Sequence, residues 1–275
     1  MATSNRVKLA LHYGILAVMG ALFISPLLWM AFASVDTHAV QLLRLPQEPT
    51  LEHFIHLLSD AGIMRSFVNG FMISGGQATL VVLVCMLAAY PLSRFKIRGK
   101  RGIMLGVLFL TSLPMTAVIV PVFQLFLRLR LLDNLFWVMI FLTAAALPFG
   151  IWMTKNFMDS VPVELEEAVW IDGGSVLTGL RVVVAPLMLP GILTVAIFTF
   201  TGSWGNFLVP FMLIHTQESL PSSVTIFQFF GQFGVVNFGR LAAFSVLQTL
   251  PVLVLYGLSQ AFMSKGFSMG GASKG

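Results

Sequence analysis

The chain has 275 residues, of which 57% are hydrophobic and 10% charged, and a formal net charge of +5. Soluble domains average roughly 45–50% apolar residues, so this excess excludes a water-soluble fold of the same length and the chain reads as a membrane protein. The positive balance is accounted for by topology rather than by nucleic acid, and the single cysteine, Cys85, excludes an intrachain disulfide.

A membrane-crossing helix takes roughly 20 mostly apolar residues. A charge at its centre costs about 2.5–3.5 kcal/mol, so runs free of Asp, Glu, Lys and Arg mark the spans. The first run lies between Lys8 and Asp36. Its basic start, MATSNRVK, is like the head of a leader peptide, but the apolar stretch is too long for one, and it reads as a first span (9–34) behind an N-terminal tail (1–8). A polar stretch from Asp36 to Arg65 follows. There "HFIH" spaces His53 and His56 by three, with no third ligand placed by sequence, so no metal site is expected. The expectation is an amphipathic helix with Phe54, Ile55, Leu57 and Leu58 lying on the membrane.

Five further runs place spans near 66–93, 103–127, 134–154, 186–210 and 241–264, making an all-α integral membrane domain over 9–265 and a tail over 266–275. The uncharged run Ser219 to Gly239 is rich in Ser, Gln, Gly and Asn and reads as a structured loop. Six spans put both termini on one side. With that side inside, eleven basic residues (Arg6, Lys8, Arg94, Lys96, Arg98, Lys100, Arg101, Lys155, Arg181, Lys265, Lys274) face five outside, as the positive-inside rule requires. Prolines at 91, 114, 121, 148, 186, 190 and 251 remove backbone donors within spans, which suits a bundle that rearranges around a pathway.

Between the fourth and fifth spans, "ELEEAVWIDGG" gathers four of the eleven acidic residues of the chain. The topology keeps it in water on the inner side. Asp159 or Ser160 can cap a helix containing Pro162 in its first turn, and Glu164, Glu166 and Glu167 favour its positive end. Gly173 and Gly174 supply a left-handed helix end, and Ser175 can cap a second helix. A solvated loop has no need of Val169, Trp170 and Ile171 beside the turn, so the segment reads either as a plain reversal or as a plug for a groove on another protein.

"EEAVWIDGGSVLTGLRVVVAP" resembles the EAA loop of binding-protein-dependent ABC importer permeases. Glu167–Ala168, Asp172–Gly173, Val183 and Pro186 match, while Val169, Gly174 and Ala185 depart without changing the spacing. The resemblance covers nearly the whole chain and is closest to the MalG-type carbohydrate branch, to which "SLPMTAVIVPVFQLFLRLRLLDN", "ALPFGIWMTKNFMDSVPVELEEA" and the ending "GFSMGGASKG" are also similar. It implies a type I ABC importer permease fold with six transmembrane helices and both termini cytoplasmic, multi-pass in the inner or plasma membrane. It further implies a coupling loop at 156–185, in which Glu166, Glu167, Ala168, Val169, Trp170, Ile171, Asp172, Gly173 and Gly174 meet an ATPase, the carboxylates keeping the segment wet and residues 168–171 forming the buried contact. Ser268, Gly270, Gly271 and Lys274 of the tail are expected to reach the ATPases as well.

Where family members show Trp-Asn-acidic-Phe, this chain has Trp204, Gly205, Asn206 and Phe207. Trp204, Asn206 and Phe207 are therefore expected along the substrate pathway, with an interfacial-belt role for Trp204 and an interhelical hydrogen bond for Asn206 as the alternatives. Gln228, Gln232 and Asn237 fall in the loop that faces the binding protein in this family. The implied partners are a second permease forming a heterodimer, two ABC ATPase subunits, an extracytoplasmic solute-binding protein and membrane lipid, with no nucleic acid.

The sequence carries no Walker motif, HExxH or G-x-S-x-G, so no enzyme activity is expected here. This chain then has no cofactor or metal of its own, and ATP and Mg belong to the partner subunits. The implied solute is a mono- or oligosaccharide, a polyol or a glycerophosphodiester. An ion-gradient-driven secondary transporter is the competing reading. That mechanism normally places an ionisable residue within a span, and none of the six runs holds one.

Overall fold

The computed structural model describes the backbone of residues 2–230 and 236–271, and the side chains of residue 9 and of residues 11–230 and 236–260. Helices follow in chain order as α1 (Ala2–Ala33), α2 (Glu52–Ser59), α3 (Ala61–Arg94), α4 (Lys100–Thr111), α5 (Met115–Arg128), α6 (Leu135–Asp159), α7 (Glu164–Ile171), α8 (Val176–Gly179), α9 (Ala185–Leu187), α10 (Leu189–Trp204), α11 (Leu208–Leu213), α12 (Ser222–Thr225) and α13 (Phe238–Gly271). A π-helical turn, Leu180–Val184, joins α8 to α9, and 3₁₀ turns occupy Gln217–Ser219 and Ile226–Phe230. The described residues contain one isolated β-bridge, Asp36 with Pro49, and no strand.

Among the described residues four helices (α1, α3, α6 and α13) are long and apolar enough to cross a membrane, and two bent pairs raise the number to six. The third expected span, 103–127, is not one rod: α4 and α5 meet at 87°. Pro114 ends the turn between them and brings no N–H to continue a helix. The fifth is broken by 78° at Met188, where Pro190 cannot donate back to the carbonyl of Pro186. Pro91, Pro148 and Pro251 lie inside continuous helices.

Two compact units form, one from the described residues of Met1–Met64 and Thr225–Leu250, the other from Arg65–Val224 and Pro251–Gly275. In the first, the segment after α1 is closed by Thr37 N–H to the Glu48 carbonyl at 3.1 Å and Thr50 N–H to the Val35 carbonyl at 2.8 Å. Asp36 sits buried at its centre, accepting the amides of His38 and Glu48 and pairing with Arg44 at 3.3 Å. Burial pushes this carboxyl up, but the two amides and the guanidinium outweigh burial and hold it below the usual carboxylate range. The helix expected on the membrane surface exists as α2, with Ile55 and Leu58 exposed. Leu57 is the correction: it is wholly buried within the protein. His53, bonded to the Asp36 carbonyl at 3.1 Å, packs on Gly239, so its ring serves local packing.

In the second unit α6 is the central post. One apolar cluster joins it to α3, α5 and α11 through Ile73, Phe126, Val138, Leu142 and Leu213. Nearby, Gly150 of α6 lies so close to α3 that a methyl there would sit 2.6 Å from Cys85 Sγ and 2.8 Å from Val81 Cγ1. Small residues at such contacts let membrane helices approach backbone to backbone. A further cluster, including Met86, Tyr90, Met158, Val161, Leu180 and Val184, packs the ends of α3 and α6 onto the π turn and so sets the base for α7.

Candidate functional site: the elbow between the fourth and fifth spans

The elbow begins where α6 ends. Neither Asp159 nor Ser160 caps α7, contrary to expectation: Val163 occupies that position without a side-chain bond. Asp159 instead accepts Ser93 Oγ at 2.7 Å and pairs with Lys155, while Ser160 Oγ donates to the Phe157 carbonyl. α7 then runs from Glu164 to Ile171 and closes as expected at the glycines. Gly173 adopts φ +85°, its N–H bonds the Trp170 carbonyl at 3.0 Å, and Gly174 N–H bonds the Val169 carbonyl at 2.8 Å. This pair of bonds is the Schellman end, which satisfies carbonyls that the helix leaves free. Ser175 Oγ accepts Thr178 N–H at 3.2 Å and caps α8, also as read.

The faces of α7 differ from expectation. Glu166 is not a wet carboxylate. It is fully buried, with Oε1 2.6 Å from Arg94 Nε and Oε2 accepting the Tyr90 hydroxyl at 2.8 Å. Arg94, whose side chain is 4% exposed, also donates through Nη2 to the Val161 carbonyl at 3.0 Å. Val169 and Trp170 are half-buried and turn toward the body of the protein: the Trp170 indole lies over Gly179, with a buried Nε1 that has no hydrogen-bond partner. What remains outward is Glu167, Ala168, Ile171, Asp172 and Gly173. Of the four residues expected to form the outward contact, only Ala168 and Ile171 are free to do so. Ile171 is 86% exposed, and Leu165 on the same helix and Val176 and Leu177 on α8, which sequence reading passed over, are exposed apolar side chains as well. The i, i+3, i+6 spacing of Leu165, Ala168 and Ile171 was the available signal, since these positions share one side of a helix. An apolar row held out by a fixed backbone can dock into a groove.

The positions near the fifth span make local contacts, and only Trp204 among them is buried. Trp204 is 3% exposed, stacked on Phe200 at 5.7 Å and packed against Phe71 at 4.6 Å, so it offers no free face and does not lie in an exposed belt. Asn206 Oδ1 accepts Val209 N–H at 3.0 Å and starts α11, and Phe207 stacks on Phe211 at 4.8 Å. A recess of about 390 Å³ lies instead beside α11, lined by residues including Phe123, Phe211, His215 and Leu220. Gln228 is exposed, Asn237 Oδ1 accepts Arg240 N–H at the start of α13, and Gln232 lies outside the described residues. Ser268, Gly270 and Gly271 fall in the last turns of α13, and their side chains, like Lys274 as a whole, lie outside the described residues. Among the described residues no three His, Cys, Asp or Glu side chains are grouped to hold a metal ion.

The family described as "Binding-protein-dependent transport system inner membrane component" matches residues 81–268. The sulfoquinovosyl glycerol transport system permease protein SmoH of Agrobacterium fabrum is 29% identical, over 90% of this chain and 87% of its own length. The galactooligosaccharides transport system permease protein GanQ of Bacillus subtilis is 28% identical, over 98% of both chains. Among solved structures, a chain of a bacterial ABC transporter involved in the import of the acidic polysaccharide alginate superposes with a TM-score of 0.82 at 21% identity, over 94% of this chain and 97% of that one.

Proposed function

We propose, for a chain that belongs to the family of binding-protein-dependent transport system inner membrane components, the role of a permease subunit that forms half of the path for a sugar or sugar-like solute and takes its drive from ATP hydrolysed elsewhere. In this reading the chain is multi-pass in the inner or plasma membrane with both termini cytoplasmic. It pairs with a second permease, two ABC ATPase subunits that bind ATP and Mg, and an extracytoplasmic solute-binding protein. It performs no chemistry itself: its work is to hold a pathway and to change shape. The relatives named for sugar-bearing solutes support a carbohydrate cargo.

The observation that carries the coupling role is the exposed apolar row on an elbow that is fastened from behind. Ile171 is 86% exposed although Glu166, five residues earlier, is fully buried. A short helix fixed on one face, with apolar side chains standing out on the other, is built to be gripped. Ile171→Asp is expected to cut retention of the ATPase subunits by about tenfold, or about 1.4 kcal/mol, the size of one contributing interface residue. Co-purification from membranes reads the loss, and full retention would remove the coupling role. Gly173→Val forces a β-branched residue into φ +85° on the outer turn; insertion should survive while hydrolysis and uptake separate. Calorimetric screening of the cognate binding protein against mono- and oligosaccharides identifies the solute for that assay.

A further inference from the structure

The Glu166 carboxylate has no part in the outward contact, yet it is among the most completely enclosed groups in the protein. Both its oxygens are used, by Arg94 Nε at 2.6 Å and by the Tyr90 hydroxyl at 2.8 Å. Tyr90 and Arg94 are one helical turn apart on the last stretch of α3 and present their polar ends on the same side of it. Arg94 makes a third bond, to the Val161 carbonyl in the link between α6 and α7. Beside this, Ser93 binds Asp159 at the end of α6.

Stability alone does not account for such an arrangement. Removing a charged pair from water costs several kcal/mol per ion, and well-packed apolar side chains of similar volume often do as well or better. What a buried, fully bonded pair adds is direction: short charge-assisted bonds fix one orientation where apolar contact permits sliding. The covalent route from α7 into the fifth span is, by contrast, poorly suited to carrying a push. It passes through the four-residue α8, a π-helical turn at Leu180–Val184 and a 78° break at Met188.

We infer that Glu166, Arg94 and Tyr90 form a strut that makes α7 and the inner end of α3 one mechanical body. A displacement imposed on the outward face of α7 then reaches the second span directly, rather than along the chain into the fifth. These are positioning residues, and the inference rests on the coupling role proposed for α7.

The test uses the full complex in nanodiscs, in a Cys85→Ser background with spin labels at Glu164→Cys on α7 and Leu87→Cys on α3, both exposed positions. The label-to-label distance is measured without nucleotide and after trapping with ATP and vanadate. An intact strut gives one narrow distribution that trapping leaves in place. The double variant Glu166→Met with Arg94→Met keeps the volume and removes the direction; in complexes of matched thermal stability its distribution is expected to broaden or shift on trapping. Should that variant fail to assemble, Tyr90→Phe removes one of the bonds to Glu166 and leaves the ring, with a smaller broadening expected. A wild-type distance that moves on trapping overturns the strut, and so does a variant distribution identical to wild type. ATPase retention in the Ile171→Asp complex reports separately on the coupling role, so the two readings fail independently.

Discussion

Gly150 and Gly75 are alike in sequence, each a glycine inside a long apolar helix, and opposite in the structure. A methyl on Gly150 would strike Cys85 Sγ and Val81 Cγ1, whereas one on Gly75 would meet nothing within 4 Å. Gly150→Ala is therefore expected to destabilise the protein by about 1–3 kcal/mol through overpacking. Gly75→Ala should be neutral or gain up to about 1 kcal/mol from helix propensity. Thermal denaturation in detergent separates the two, and equal melting points would refute the close approach of α6 to α3. Asp133 makes the same point for charge. Its carboxylate accepts the amides of Thr216, at 2.7 Å, and His215, which holds it below the usual carboxylate range even though partial burial works the other way. Because the folded value is depressed, the stabilisation is present above the ordinary carboxylate pKa of about 3.9 and is lost as pH falls through the folded value. Amide protection at His215 and Thr216 should therefore fall in acid in the wild type. In Asp133→Asn, a residue that tolerates the φ of +60° found there, the residual protection should not change over the same range.

At the scale of the element, the elbow was legible as far as local rules reach. Gly173, Gly174 and Ser175 announce a helix end and a new start within three residues, because those bonds close within one turn. The faces of α7 were not legible. Glu166 and Arg94 lie 72 positions apart, and only the packing of α3 against the elbow brings them together. Three glutamates in a row of four residues look equally wet until one of them meets that cation. Trp204 misled for a similar reason, since an aromatic at a span end reads as a belt residue until Phe71 and Phe200 are found around it. The outward row can be tested beyond Ile171. Leu165→Asp and Leu177→Asp are each expected to weaken ATPase retention by about tenfold, while Glu164→Gln on the same helix should leave retention within about twofold. Pull-down from solubilised membranes decides between them, and equal effects at all three positions would mean that charge on the helix, rather than the apolar row, is what is recognised.

For the molecule as a whole, hydrophobic run lengths located the long helices because the length of a crossing is set by the bilayer itself. They could not reveal that two of the runs bend by 87° and 78°, since an uncharged run looks the same straight or broken. The orientation expected from the basic residues can be measured. In a Cys85→Ser background, Glu48→Cys is expected to react with an impermeant maleimide added outside intact cells, and Arg98→Cys only after the membrane is opened. The reverse pattern would invert the topology and place the elbow on the wrong side for an ATPase. One consequence of the row around Ile171 concerns the life of the protein before assembly. On the proposed reading, a copy made without its partners would display oil to the cytosol at a spot that the finished complex would cover. Such an orphan would carry its own mark for disposal, and the abundance of the transporter would then be set by whichever subunit is scarcest.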